Sequence, residues 1–269
     1  MRRPPAVAGQ FYYSEPSRLS HQVAQYIDNL SRKEDAIGVV VPHAGLIYSG
    51  SVAGAVYSAI SFPKTFVMLG PNHTGLGPQI SVMAAGEWEI PTGVVKVDRK
   101  LASRILLNAA GVTRDTQAHI FEHSLEVQLP FMTFISKEVN IVPISIRSAS
   151  FNECITFAES IAHAVKNIGY PVTILASSDL SHNLSDKTAR IKDKKAIGRI
   201  LEIDPEGLYD TVYHEKISMC GCLPTTIMLS ASRLLGAKKA HLVKYITSGE
   251  VSGDYDNVVG YAGIIVSRK

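Results

Sequence analysis

Short apolar runs rich in valine and isoleucine alternate along the chain with longer segments of helical periodicity. This alternation is typical of α/β folds, and runs that are apolar at nearly every position indicate strands buried on both faces of a sheet. No repeat or linker divides the pattern, so we predict one α/β domain over residues 1–269, with a sheet covered by helices. The predicted strands are 36–41, 65–70, 140–146, 172–177, 240–246 and 258–267, and the predicted helices are 17–30, 51–60, 98–109, 123–136, 151–167, 186–202 and 223–235.

The composition argues against several classes of protein. The formal net charge is +3, and it is spread along the chain except for "KDKK" at 192–195, so neither a nucleic acid nor a membrane is an expected partner. No apolar segment reaches the length of a membrane span, and the N-terminus lacks the unbroken apolar stretch of a signal peptide. We therefore expect a cytoplasmic protein with reduced thiols at its three cysteines.

Histidines follow three of the predicted strands. His43 comes after the run 36–41, His73 after 65–70, and Asp179 with His182 after 172–177. The carboxyl ends of parallel strands meet at one edge of an open α/β sheet, and ligands bind there. A single loop histidine usually has a structural role, but three at the same edge predict a common site.

Two neutral imidazoles and an anionic ligand suit iron, copper or zinc. Asp179 or Cys220 could supply the anion. Cys220 precedes the predicted helix 223–235, and we expect the aligned peptide dipoles to lower the pKa of its thiol. The alternative reading of such a cysteine is a small buried apolar residue.

Asp179 and His182 also form a candidate acid/base pair. We expect the carboxylate to accept a hydrogen bond from one ring nitrogen of His182 and to aim the other nitrogen into the pocket. The alternative is that Asp179 caps the following segment and His182 is solvated. Glu122 and His123 precede the predicted helix 123–136, where a capping role explains part of the pattern, so they rank below the other ligand candidates.

Six collinear motifs resemble the MEMO family: "AGQFY" (8–12), "PHAGLIYSG" (42–50), "GPNHTG" (70–75), "EHSLEVQLPF" (122–131), "SSDLSH" (177–182) and "CGCLP" (220–224). Its bacterial and archaeal members resemble the B component of the AmmeMemoRadiSam gene set. The family is similar in fold to the class III extradiol (LigB-type) non-haem iron dioxygenases. The resemblance therefore implies a single domain with a central mixed sheet flanked by helices.

The resemblance also implies a set of site residues. His43, His73 and Cys220 match the metal ligands, and Asp179 and His182 match polar residues that line the same pocket. Cys220 stands where the dioxygenases have a glutamate, and a thiolate beside iron and oxygen is itself oxidisable. Eukaryotic relatives bind phosphotyrosine peptides through a pocket that includes a tryptophan, in whose place this chain has Phe11; the pocket or its surroundings would also include Glu122 and His123.

These observations predict a metal-dependent redox enzyme that holds one iron or copper ion, with zinc as the alternative, and acts on an unidentified substrate. Its catalytic residues would be His182 and Asp179. One alternative is a binding protein that uses the same pocket for a small-molecule, anionic or phosphorylated ligand or peptide. Another is a cysteine hydrolase with Cys220, His182 and Asp179 as nucleophile, base and orienting residue. The gene set implies a functional association with a radical-SAM protein.

Overall fold

A computed structural model describes residues 1–29 and 32–269. Within them, eleven strands form one mixed sheet: β1 Arg2–Arg3, β2 Ala36–Val41, β3 Thr65–Pro71, β4 Ile80–Val82, β5 Glu87–Ile90, β6 Gly93–Val97, β7 Thr113–Arg114, β8 Asn140–Ile146, β9 Val172–Ser177, β10 Lys239–Thr247 and β11 Gly260–Ser267. The helices are α1 Pro16–Ala24, α2 Leu46–Ala59, α3 Arg99–Leu107, α4 Leu129–Ile135, α5 Phe151–Lys166, α6 Asp186–Leu201, α7 Pro205–His214, α8 Cys222–Leu234 and α9 Gly249–Ser252. Two turns of 3₁₀ helix, Gln117–His119 and Glu126–Gln128, complete the assignment.

The order of the strands brings the loops after three of them together. Hydrogen-bonded neighbours follow the order β1-β5-β6-β8-β3-β9-β2-β11-β10, and the central strands β8, β3, β9 and β2 are parallel. β11 runs antiparallel to β2, and β10 runs antiparallel to β11. The carboxyl ends of β2, β3 and β9 therefore lie side by side, and β11 begins at the same edge.

The central strands are apolar throughout because helices cover both faces of the sheet. Val40 of β2 belongs to a core on one face, while Val39 and Val41 belong to a core on the other face, and all three side chains are fully buried. The two cores confirm the prediction of an α/β domain with a central mixed sheet between helices.

Several predicted elements differ from the observed ones. The predicted helix 17–30 ends at Ala24, and Tyr26 lies beyond it against Gly50 and Gly54 of α2, where a larger side chain would collide with it. Leu30, the last apolar residue of that prediction, lies outside the described residues. The predicted helix 123–136 is divided into the 3₁₀ turn and α4, and the short strands β1 and β4–β7 and helix α7 were not predicted.

No helix in the described part of the chain combines the length and the apolar character that crossing a bilayer requires.

Candidate metal centre

The structure gathers the predicted residues at the carboxyl edge of the sheet. His43 lies two residues beyond β2, and His73 lies two residues beyond β3. Asp179 lies two residues beyond β9, and Cys220 lies two residues before α8. Each position is fixed by the end of a buried strand or the start of a helix, so the loops have little freedom to separate.

Three histidines form the centre of this cluster. His43, His73 and His123 each offer a ring nitrogen, and these atoms lie within 4.8 Å of one another. The ring centroids of His73 and His123 are 4.6 Å apart in a stacked arrangement, and His43 meets both rings edge-on at 5.4 and 5.5 Å. His43 is buried, His123 is half-buried and His73 is exposed, so the cluster opens to solvent on the His73 side.

Glu122 orients His73 through hydrogen bonds to its carboxylate. Its carboxylate accepts the backbone N–H of His73 at 2.5 Å, the Nδ1–H of His73 at 2.9 Å and the backbone N–H of Ser124 at 2.9 Å. Burial opposes ionisation of Glu122, but these bonds and the charge of His73 outweigh it and lower its pKa to about 2. Because the ionised carboxylate can only accept, Nδ1 of His73 carries a proton, and in the neutral ring Nε2 is available to a ligand.

The pKa values of the three histidines shift in different directions. Burial, followed by repulsion from His123 and His73, holds the pKa of His43 well below its usual range. Burial also lowers the pKa of His123. Burial acts in the same direction on His73, but its hydrogen bond to Glu122 and the charge of that carboxylate raise its pKa instead. His43 and His123 are therefore neutral near pH 7, which is the form that binds metals.

Cys220 lies beside the histidines. Its Sγ is 3.3 Å from Nε2 of His43 and accepts the backbone N–H of Asp179 at 3.3 Å. The expected lowering of the thiol pKa is wrong for the metal-free protein: burial and the charge of Asp179 raise it well above the usual range. α8 begins only at Cys222, so Cys220 lies outside its first turn, and the N–H of Gly221 at the N-cap donates to Ser178 Oγ.

The partners of Asp179 and His182 differ from those we expected. Asp179 Oδ1 accepts the backbone N–H of His43 at 2.8 Å, while Nδ1 of His182 pairs with the Ser218 carbonyl at 2.9 Å. Ser218 Oγ also accepts the backbone N–H of His182 at 2.7 Å. Asp179 thus joins the end of β9 to the loop after β2. Because His182 Nδ1 is paired with the Ser218 carbonyl, Asp179 does not orient this ring as the hydrolase reading of Cys220, His182 and Asp179 requires.

Phe11 and His123 complete the wall of the cluster. Their ring centroids are 4.7 Å apart, so the N-terminal segment that carries Phe11 packs against His123. In the sequence, a position before a helix explains His123 and places it below the other candidates. The neighbouring Glu122 is the signal that favours it as a site residue, since its carboxylate lies 3.5 Å from Nδ1 of His123.

A buried ion pair fastens this wall. Arg3 and Glu126 meet at 2.5 Å, with almost no exposed surface on either side chain. Arg3 also donates to the carbonyls of His119 and Glu122, and Glu126 accepts from the N-terminal segment that leads to Phe11. The two segments that supply Phe11 and His123 are therefore tied together behind the site.

Comparison with known proteins assigns the chain to a family. The profile of Memo-like proteins matches residues 3–265. The chain belongs to the MEMO1 family.

Similar MEMO1 family proteins occur in several archaea. One from Methanosarcina barkeri is 42% identical over 266 residues, covering 98% of this chain and 99% of the relative. One from Methanosarcina acetivorans is 40% identical over 266 residues, covering 98% of each. One from Ignicoccus hospitalis is 40% identical over 277 residues, covering 97% of each.

The donor set of this MEMO1 family chain fits a transition metal. Imidazoles suit iron, copper and zinc, and a thiol beside them adds a soft ligand that copper, zinc and iron also accept. Ring nitrogens within 4.8 Å of one another need only small side-chain rotations to reach one ion. The three-histidine group could hold a metal ion.

Proposed function

We propose that this chain is a metal-dependent redox enzyme that binds one iron or copper ion, with zinc as the alternative. The observation that carries the proposal is the convergence of ring nitrogens from His43, His73 and His123 within 4.8 Å, with Cys220 Sγ 3.3 Å from the first of them. The substrate is an organic molecule that enters from the exposed side of His73.

The ligands in this proposal are His43, His73 and Cys220, with His123 as a further donor at the same centre. Glu122 supports it by fixing the proton of His73 on Nδ1. Such an ion, when bound, would supply redox or Lewis-acid chemistry. An extradiol-dioxygenase-like (LigB-like) fold also belongs to the proposal, supported by histidines that follow neighbouring parallel strands.

His182 is the group proposed to move a proton. The Ser218 carbonyl can only accept, so Nδ1 of the neutral ring carries the hydrogen and Nε2 is free to take a proton. Asp179 supports the site differently, by holding the backbone of His43 in place.

Optical spectroscopy tests the ligand set. In protein loaded with Cu²⁺ or Fe³⁺, we expect a thiolate charge-transfer band that is lost in Cys220→Ser and retained in Cys222→Ser. The two cysteines are two residues apart, but Cys222 lies in the first turn of α8 within the core. A band that survives Cys220→Ser and disappears in Cys222→Ser would reverse the assignment.

Oxygen consumption under a screen of reduced organic substrates tests the enzymatic role. We expect turnover by iron- or copper-loaded protein, and its loss in His182→Ala with the metal retained. Asp179→Asn should give a milder form of the same defect. Complete loss of the metal in His182→Ala would make His182 a ligand, and undiminished turnover in that variant would remove it from the mechanism.

A further inference from the structure

A buried chain of hydrogen bonds lies on the Nδ1 side of the His43 ring. It joins Tyr57, Gln128, Ser177 and His43, all with at most 2% of their surface exposed. Two backbone carbonyls, of Pro42 and Ser124, end its branches. Because these four side chains are shut off from solvent, each of their polar hydrogens must be donated to another of these side chains or to one of the two carbonyls.

The carbonyl of Pro42 fixes the orientation of Gln128. A carbonyl only accepts, so the group 2.9 Å from it is the side-chain nitrogen of Gln128. The second hydrogen of that nitrogen goes to Ser177 Oγ at 3.0 Å, and the amide oxygen accepts from Tyr57 Oη at 2.9 Å. Ser177 therefore receives one hydrogen bond from Gln128.

The carbonyl of Ser124 then fixes the direction of Ser177. The Ser177 hydroxyl has one hydrogen, and its oxygen lies 2.6 Å from a carbonyl that cannot donate. That hydrogen is donated to the Ser124 carbonyl. The remaining contact of Ser177 Oγ is Nδ1 of His43 at 2.9 Å, and the hydrogen in this contact must come from the ring.

We infer that Ser177, oriented by Gln128 and the Ser124 carbonyl, is a positioning residue that holds His43 in the tautomer protonated at Nδ1. Nε2 is thereby kept bare on the side of Cys220 and the other histidines. The inference deepens the proposed function, on which its relevance to metal binding rests. The opposite tautomer would leave the Ser124 carbonyl facing a hydroxyl oxygen at 2.6 Å without a hydrogen between them.

The arrangement works against the intrinsic preference of the side chain. Free neutral histidine favours the proton on Nε2, the atom that the site must keep bare. The Ser177 oxygen that accepts Nδ1–H belongs to the last residue of β9. Gln128 also donates a hydrogen bond to the carbonyl of Pro42, the residue directly before His43. One buried network thus sets both the place and the protonation of the first ligand.

Nitrogen NMR of the metal-free protein reads the tautomer directly. In protein labelled with ¹⁵N-histidine at pH 8, long-range proton–nitrogen correlations should give a protonated-type shift at Nδ1 of His43 and an unprotonated-type shift at Nε2. The His43 signals are assigned by their disappearance in His43→Gln. A protonated-type shift at Nε2 in the unsubstituted protein overturns the inference without recourse to any variant.

Three variants separate the tautomer effect from a general structural one. Ser177→Ala removes the acceptor and should shift the ring towards the Nε2-protonated tautomer, while Ser177→Thr keeps the hydroxyl and should restore the original pattern. Tyr57→Phe removes only the hydroxyl at the end of the hydrogen-bond network farthest from His43, and it should leave the tautomer unchanged. An unchanged tautomer in a folded Ser177→Ala protein would overturn the inference.

Anaerobic titration with Fe²⁺ alone links the tautomer to the metal. We expect Ser177→Ala to lower the affinity by about 10- to 100-fold, and Ser177→Thr to recover most of it. If the protein binds no metal yet shows the Nδ1-protonated ring, the proposed function fails and the tautomer assignment stands. If it binds the metal with an Nε2-protonated ring in its metal-free form, the assignment fails and the function stands.

Discussion

Replacement of Glu126 by glutamine tests whether the Arg3–Glu126 pair holds the wall of the metal centre together. The Glu126 carboxylate has no exposed surface and accepts four hydrogen bonds, from Arg3, Tyr12 and the backbone N–H groups of Ala6 and Val7. Glutamine keeps the shape but has a single acceptor oxygen. Its NH₂ group would face two donors, and the Arg3 guanidinium would remain buried without its counter-charge.

The expected loss of stability follows from those contacts. Two buried donors without acceptors cost about 1–3 kcal/mol each, and breaking one partner of a buried ion pair costs about 3–5 kcal/mol. Both routes give about 4 kcal/mol, which corresponds to a fall in Tm of about 10 °C. Arg3 packs over the Trp88 ring at 4.0 Å, so the effect should spread to the edge of the sheet.

Urea unfolding followed by circular dichroism measures this loss. The matched control is Arg2→Met, because Arg2 is half-exposed and pairs with Glu87 at the surface, where a salt bridge is worth about 0–1 kcal/mol. In a double-mutant cycle, Arg3→Met with Glu126→Gln should cost less than the two single changes added together. A Glu126→Gln protein no less stable than the Arg2→Met control would refute the reasoning.

Two further predictions concern the surroundings of the site. Burial lowers the pKa of His119 from 6.5 to about 4, so the unfolded chain binds its proton first; stability should fall by roughly 3 kcal/mol as the pH drops through this window. Urea titrations of His119→Gln should lack that component, and an identical pH profile would contradict the prediction. Gly221→Ala should disturb the Cys220 loop, because an added Cβ would collide with Ser178, whereas Gly198→Ala meets open space on α6 and should be neutral or stabilising. Equal thermal stability and equal Fe²⁺ affinity of the two glycine variants would count against the packing argument.

The central strands and the strand-end histidines could be predicted because their signals are local. β2, β3, β8 and β9 are apolar at nearly every position, and a polar residue directly after such a run must lie at the sheet edge. His43 and His73 were placed in this way. The helix α7 carried a local signal that went unused, since Asp204 caps it and Pro205 opens its first turn.

The remaining parts of the site depend on distant partners. Ser177 and Gln128 are ordinary polar residues in sequence, and their roles appear only when residues 49 positions apart meet. The pKa of Cys220 was mispredicted because the local pattern shows a following helix, while the burial and the nearby carboxylate of Asp179 come from the tertiary fold. His123 gains its place from the neighbouring rings of His43 and His73.

Metal stoichiometry tests the central claim most directly. The protein should be purified anaerobically from its native host, and its iron, copper and zinc content should be determined beside that of His43→Ala and His73→Ala. The account predicts close to one equivalent of iron or copper in the unsubstituted protein and loss of stoichiometric metal in each variant, with circular dichroism showing an intact fold. A full equivalent of metal in both histidine variants would contradict it.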